Sequence, residues 1–346
     1  WRGSDPAAPP LGTGSHIDAI LNAGKYDGVA GVMGGLEAIR ALQRAGFRPK
    51  NSIELVVFTS EEPTRFGIGC LGSRMLSGAL SADAARKLVD ANGESLEDVR
   101  RKAGLSEKLE DVPLPSGYYK AFVEMHIEQG PMLERERVPL GIVQKIAAPA
   151  SARISIEGSG GHAGAVLMPD RHDALCAASE LILAIESAAR ASGSSDTVAT
   201  VGMCEVFPGA INSIPSQVRI SADVRDTDLA RRDGVVRGVE SAAKQIAERR
   251  GVSIGIELLN ADAPGECAPE VMDALARSCR KHGYKFLPMI SRAYHDTLFM
   301  ARMVPAAMLF IPCRKGYSHR PDEYASIEDI ARGTLVLAET LAELAG

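Results

Sequence analysis

The run Ile53-Glu54-Leu55-Val56-Val57-Phe58 is short, mostly apolar and rich in β-branched residues, and Thr59-Ser60-Glu61-Glu62-Pro63 ends it. Those are the marks of a buried strand leaving its sheet at a turn. Just upstream, Val29, Val32, Leu36, Ile39 and Leu42 recur at helical spacing within the glycine-opened segment Tyr26–Gly46. Helix followed by buried strand is a βαβ-like rhythm, so the chain is expected to form an α/β fold. Open α/β sheets carry their chemistry at the carboxyl ends of the strands. Glu61 and Glu62 stand at such an end, two acids side by side.

The rest of the chain divides by texture. Leu80–Leu109 reads as helical and polar, and Phe122–His126 as a short strand. After Ile146 the pattern changes. Ala152–Glu157 alternates like a half-exposed strand, Gly158–Gly164 is a glycine-rich break around His162, and Asp173–Ala191 is a long helix. Strands at Thr197–Phe207 and Gln217–Arg225, a helix at Asp228–Arg250 and a strand at Val252–Leu258 follow. That β-α-β-β-α-β succession is the order of a ferredoxin-like two-layer module. A helix (Pro269–His282), a strand (Ala306–Ile311) and a closing helix (Ile327–Leu344) then resume the earlier style. The expected organisation is a larger α/β domain, residues 1–147 with 260–346, carrying an inserted module at 148–259.

With 346 residues, 45% apolar and 24% charged, the chain has the composition of a globular protein with an ample core. A net charge of −5 and scattered basic residues argue against a nucleic-acid partner, and Arg231-Arg232 and Arg249-Arg250 read as solvated helix faces. No apolar run approaches membrane-spanning length, so no membrane partner is expected. The six cysteines show no C-x-x-C pairing, which argues against structural zinc on thiolates. The chain opens on Trp1 without a signal-like segment, so the expectation is either a processed or trimmed chain or targeting information upstream.

Potential metal ligands fall near apparent strand ends. They are Gly14-Ser15-His16-Ile17-Asp18, Lys25-Tyr26-Asp27-Gly28, Glu61-Glu62, His126-Ile127-Glu128 and Tyr317-Ser318-His319-Arg320-Pro321. Each alone has an ordinary explanation, since a lone histidine is more often structural and Glu-Glu is usually a solvated face. Five in one α/β frame, most beside glycine or proline turns, point to a shared site. Imidazole with carboxylate suits zinc, manganese, nickel or cobalt better than calcium. Two cations held close together need a bridging carboxylate and independent ligands for each. Three histidines, an aspartate and a glutamate supply that count. Asp18, two residues after His16 on an extended segment, is placed to orient the imidazole.

The succession His-x-Asp (16–18), Lys-Tyr-Asp-Gly (25–28), Glu-Glu-Pro (61–63), His-Ile-Glu-Gln-Gly (126–130) and a late Ser-His (318–319) resembles the M20-type dinuclear metallohydrolases. Within them it is most similar to the branch of allantoate amidohydrolases and N-carbamoyl-L-amino-acid hydrolases. Gly-Ser-His-Ile-Asp-Ala-Ile at 14–20, Ala-Ala-Pro-Ala-Ser at 147–151 and Ser-Arg-Ala-Tyr-His-Asp at 291–296 resemble the members that act on ureidoglycolate. The resemblance covers nearly the whole chain. The family also carries helices and a strand ahead of the segment that begins here at Trp1, so further residues are expected upstream.

The resemblance implies one metal ion on His16 and His126, another on Glu62 and His319, and Asp27 bridging the pair. The ions would be manganese, with zinc as the alternative. Glu61 would then be the general base, which gives the two adjacent acids different roles. His162 would polarise the scissile carbonyl, in its own subunit's site or a partner's. Asn212 and Arg225 would grip a substrate carboxylate, Gln129 belongs to the same motif set, and Tyr294 and His295 would read a substrate hydroxyl. The inserted ferredoxin-like module would be the lid and dimerisation domain of a homodimer. The implied reaction is hydrolysis of a small ureido acid, (S)-ureidoglycolate, to glyoxylate, ammonia and carbon dioxide in ureide and purine catabolism. Allantoate or N-carbamoyl-amino-acid hydrolysis is the alternative. A silent binding protein on this fold should have lost ligands or base, and all are present. Plant-type members imply the endoplasmic reticulum, with the cytoplasm as the alternative location.

Overall fold

The computed structural model describes residues 1–346, which divide into two compact units, 1–146 with 265–346 and 147–264. In the first unit Leu11–His16 pairs in parallel with Ile53–Phe58 on one side and Ala121–Ile127 on the other. Ala306–Ile311 continues the parallel order beyond Ala121–Ile127. Leu140–Ile146 joins antiparallel, and Phe286–Ser291 runs parallel to that last strand. Every residue of Ala121–Ile127 and Ala306–Ile311 is buried, the signature of parallel strands covered on both faces. Helices Val29–Arg44 and Ile327–Ala345 pack against each other and the sheet, burying Ala38, Ile39, Val336, Leu337 and Leu341. Because four strands run the same way, His16, Phe58, His126 and Ile311 all stand at one edge of the sheet.

The second unit is a four-stranded antiparallel sheet in the order Ser253–Ala261, Ala148–Glu157, Gln217–Asp226, Val198–Phe207. Numbered by sequence that is 4-1-3-2, the ferredoxin-like arrangement the element order predicts. Helices Ala174–Arg190 and Leu229–Arg250 pack on each other, and the core includes Ile154, Ile156, Leu181, Ile185, Ile220 and Ile246.

The strands that escape the sequence reading include Leu11–His16, Leu140–Ile146 and Phe286–Ser291. The expected polar helix over 80–109 is also corrected. That segment forms the short helices Ala82–Arg86 and Leu96–Lys102 and a closing turn at Leu109–Asp111. Asp90 breaks it, because its carboxylate accepts the backbone N–H groups of Asn92 and Glu94 at 2.9 and 3.0 Å. Gly93 follows with φ of +79°, in the left-handed region that suits glycine. The pieces are held by a small apolar cluster of Leu71, Met75, Ala85, Leu96 and Leu109.

Candidate metal centre

The segments leaving the carboxyl edge of the sheet converge on Asp27. Its Oδ1 lies 3.4 Å from His16 Nε2 and 3.3 Å from His126 Nε2, while its Oδ2 lies 3.5 Å from His319 Nε2. His319 Nε2 is in turn 3.1 Å from Glu62 Oε1. Two overlapping groups result, His16–Asp27–His126 and Asp27–Glu62–His319, the ligand atoms of each within 4.8 Å of one another. All but His319 are buried.

The imidazoles of His16 and His126 are each aimed by their other nitrogen. His16 Nδ1 donates to the Asp18 carbonyl oxygen at 3.0 Å, and His126 Nδ1 donates to the Ile127 carbonyl at 2.9 Å. Both rings therefore turn Nε2 toward Asp27, where the His126 nitrogen also receives the Gly28 N–H at 3.0 Å. Gly28 lets the chain pass close enough, since a Cβ there would come within 2.5 Å of the His16 ring. Asp18 acts differently from the sequence expectation. Its backbone carbonyl orients His16, while its carboxylate accepts the N–H groups of Glu61 and Glu62 at 3.2 and 3.0 Å. One residue thus fixes both the histidine and the acidic pair.

The two acids then diverge. Glu62 faces His319, and its buried Oε1 makes no hydrogen bond. Glu61 takes a hydrogen bond from the Cys70 thiol on Oε1 at 3.3 Å and presents Oε2 to His16 at 3.8 Å. Burial pushes Glu61 well above the usual carboxylate range, Asp296 and Glu62 push the same way, and His16 opposes them. Burial also disfavours the charged form of His16, but Asp27 and Glu61 overcome it and raise the imidazole to about 11. Burial would raise Asp27 too, yet its histidine partners hold it well below the usual range. An orphaned carboxylate oxygen, preset Nε2 atoms and a shared aspartate fit a pair of divalent cations.

Glu128, also in a ligand-rich segment, serves a different purpose. It caps the short helix after it, accepting from Met132 N and Leu133 N, both at 2.8 Å. Gln129 donates to Asp27 Oδ2 at 2.6 Å. His295 is revised. Only 1% exposed, it packs edge-on against His126 with ring centroids 4.6 Å apart, and its Nε2 is 2.9 Å from Ser291 Oγ. Tyr294 is half-buried, with its hydroxyl bonded by Arg74. In the second unit, His162 is exposed and its Nδ1 accepts the Gly164 N–H at 3.1 Å. Asn212 is exposed and its carbonyl accepts from Ala163 N at 2.9 Å, while Arg225 donates to Asp223 at 2.6 Å.

Beneath the ligands lies a polar layer whose pairings no motif marks. Ser15 Oγ donates to Glu124 at 2.6 Å, Thr297 Oγ1 donates to the same carboxylate at 2.5 Å, and Ser73 Oγ donates to Asp296 at 2.5 Å. These contacts span more than a hundred residues, so spacing in the sequence gives no signal for them.

The model of peptidase family M20/M25/M40 matches residues 12–343. The chain belongs to this family. Among its M20 relatives, the ureidoglycolate hydrolase of Oryza sativa subsp. japonica is 52% identical over 99% of this chain and 72% of its own length. An N-carbamoyl-L-amino-acid amidohydrolase of Pseudomonas sp. (strain NS671) is 37% identical over 98% of this chain and 83% of its own. The crystal structure of AtUAH in complex with glyoxylate superposes with a TM-score of 0.93 at 50% identity, covering all of this chain and 83% of that one. The chain is thus a hydrolase with the mixed α/β M20 fold.

Proposed function

We propose that this protein hydrolyses (S)-ureidoglycolate, releasing ammonia and carbon dioxide and leaving hydroxyglycine, which collapses to glyoxylate and a second ammonia. The 52% identity with a ureidoglycolate hydrolase along 99% of the chain carries this reading. It is supported by the convergence of His16, Asp27, Glu62, His126 and His319 beside Glu61.

His16, His126 and Asp27 would hold one divalent cation and Asp27, Glu62 and His319 the other. Manganese is proposed, with zinc as the alternative on the same donors. When bound, such cations polarise a carbonyl and lower the pKa of water toward neutrality. Glu61 would take the proton from the attacking water and return it to the leaving nitrogen, its burial raising its proton affinity above that of an ordinary carboxylate. The Cys70 thiol holds one Glu61 oxygen, which leaves the other for that transfer. Because Gly164 donates to His162 Nδ1, the neutral ring carries its proton on Nε2, a donor suited to a substrate carbonyl. Arg225, fixed by Asp223, and Asn212 would bind the substrate carboxylate. The module would close over the site and pair two copies. In its support, the edge strand Val198–Phe207 leaves Val198, Met203 and Phe207 exposed.

Steady-state kinetics on (S)-ureidoglycolate, allantoate and N-carbamoylglycine tests the reading. Ureidoglycolate should lead in kcat/KM by orders of magnitude, and a preference for N-carbamoylglycine would establish the carbamoyl-amino-acid alternative. Elemental analysis of protein purified without chelator should find about two manganese ions per chain. Light scattering should give a dimer.

A further inference from the structure

We infer that Glu323 is a positioning residue for the metal centre, a clasp that fixes the Asp27 segment to the His319 loop. The inference rests on the proposed ligand set. Glu323 is itself not placed to bind a cation, because its carboxylate is spent on other partners. Oε1 accepts the backbone N–H groups of Tyr26 and Asp27 at 2.8 and 3.0 Å. Oε2 accepts from Ser318 Oγ at 2.9 Å, and that hydroxyl also lies 2.5 Å from Asp27 Oδ2. One side chain therefore touches the backbone of the bridging ligand and the residue preceding His319.

The surroundings are shaped for this contact. Glu323 is 5% exposed, and a Cβ on Gly24 would fall 2.3 Å from its Cβ and Oε1, so only glycine admits it there. Tyr26 and Tyr324 meet edge-on beside it, with ring centroids 5.7 Å apart. The loop it steadies needs holding. His319 has φ of +58°, in the left-handed region that costs a non-glycine residue, and its side chain is 44% exposed. Without an outside tether, the exposed ligand would have little to keep its Nε2 opposite Glu62 and Asp27. Carboxylates that orient ligands in this way are worth about 10–100-fold in metal affinity.

The test is Mn2+ titration of chelator-treated protein, competed against a chelating dye, for the unaltered chain, Glu323→Ala and Glu323→Gln. Thermal unfolding of the metal-free proteins is the control. The unaltered chain should take up two ions. Glu323→Ala should weaken at least one of them by about 10–100-fold while the metal-free melting temperature stays within a few degrees. Glu323→Gln should fall between, because its amide oxygen still accepts the two backbone N–H groups but the negative charge facing Ser318 is lost. Two ions in the unaltered chain with affinities unchanged within twofold in the variants would overturn the clasp. If Glu323→Ala does not fold, Glu323→Gln decides by the same criterion. No uptake by the unaltered chain would instead overturn the ligand assignment beneath it.

Discussion

Asp27 Oδ1 stands 3.3 Å from His126 Nε2, and the same aspartate turns its other oxygen toward His319. One carboxylate thus serves both halves of the cluster. Asp27→Ala should reduce metal content more than His16→Ala, His126→Ala, Glu62→Ala or His319→Ala. Its loss removes a ligand from both ions and the charge that screens them from each other. Full stoichiometry in Asp27→Ala, measured by elemental analysis, would rule out the bridge.

Glu61→Gln should keep the metal and the fold but lower turnover by about 10²–10⁴-fold. The amide preserves shape and can still accept from Cys70, yet it cannot take a proton. Activity within a few-fold of the unaltered chain would remove Glu61 from the chemistry.

Cation uptake should release protons. His16 is raised to about 11 in the metal-free cluster, so at neutral pH a cation must displace its proton. Affinity should therefore rise with pH across the neutral range. Calorimetric titration in two buffers of different ionisation enthalpy measures this directly, and identical heats would refute it. The same shift has a sign for stability. The His16 contribution is fully present below its ordinary value of 6.5 and is lost as pH rises toward 11.

Arg225→Lys should raise KM for ureidoglycolate by more than tenfold with a smaller change in kcat, because a point ammonium cannot replace a planar fork. His295→Ala separates two accounts of that residue. Packed behind His126, it should lower metal affinity without altering the ratio of kcat/KM for ureidoglycolate over N-carbamoylglycine. A collapsed ratio with intact metal binding would restore the expectation that it reads the substrate hydroxyl.

The inserted unit has its own weak point at Asp226. Fully buried, it accepts from Arg231 Nε at 2.7 Å, Thr197 Oγ1 at 2.5 Å and Asp228 N at 2.9 Å. Burial alone would raise its pKa, but these donors bring it below the usual aspartate value. Asp226→Asn should cost about 1–3 kcal/mol in urea unfolding. The difference should be constant above pH about 4 and shrink as pH falls further, since a depressed carboxylate stabilises only while ionised. A pH-independent difference would assign the loss to packing.

What the sequence determined by itself was the kind of chain and the cast of the site. The buried run Ile53–Phe58 and the switch from helical to alternating periodicity after Ile146 are local signals, and both units are built on them. His16, Asp27, Glu62, His126 and His319 were legible only as a set, because each alone has an ordinary explanation and their succession in one α/β frame is what points to a shared site. Tertiary structure decided how these parts are held. Asp18 divides its carbonyl and carboxylate between His16 and the Glu61–Glu62 backbone, Glu323 reaches back to Tyr26 and Asp27, and His295 is buried against His126. Those roles depend on which chain segments the parallel sheet brings to one edge. A carboxylate's partner hundreds of residues away leaves no periodicity, spacing or turn chemistry in the sequence around it.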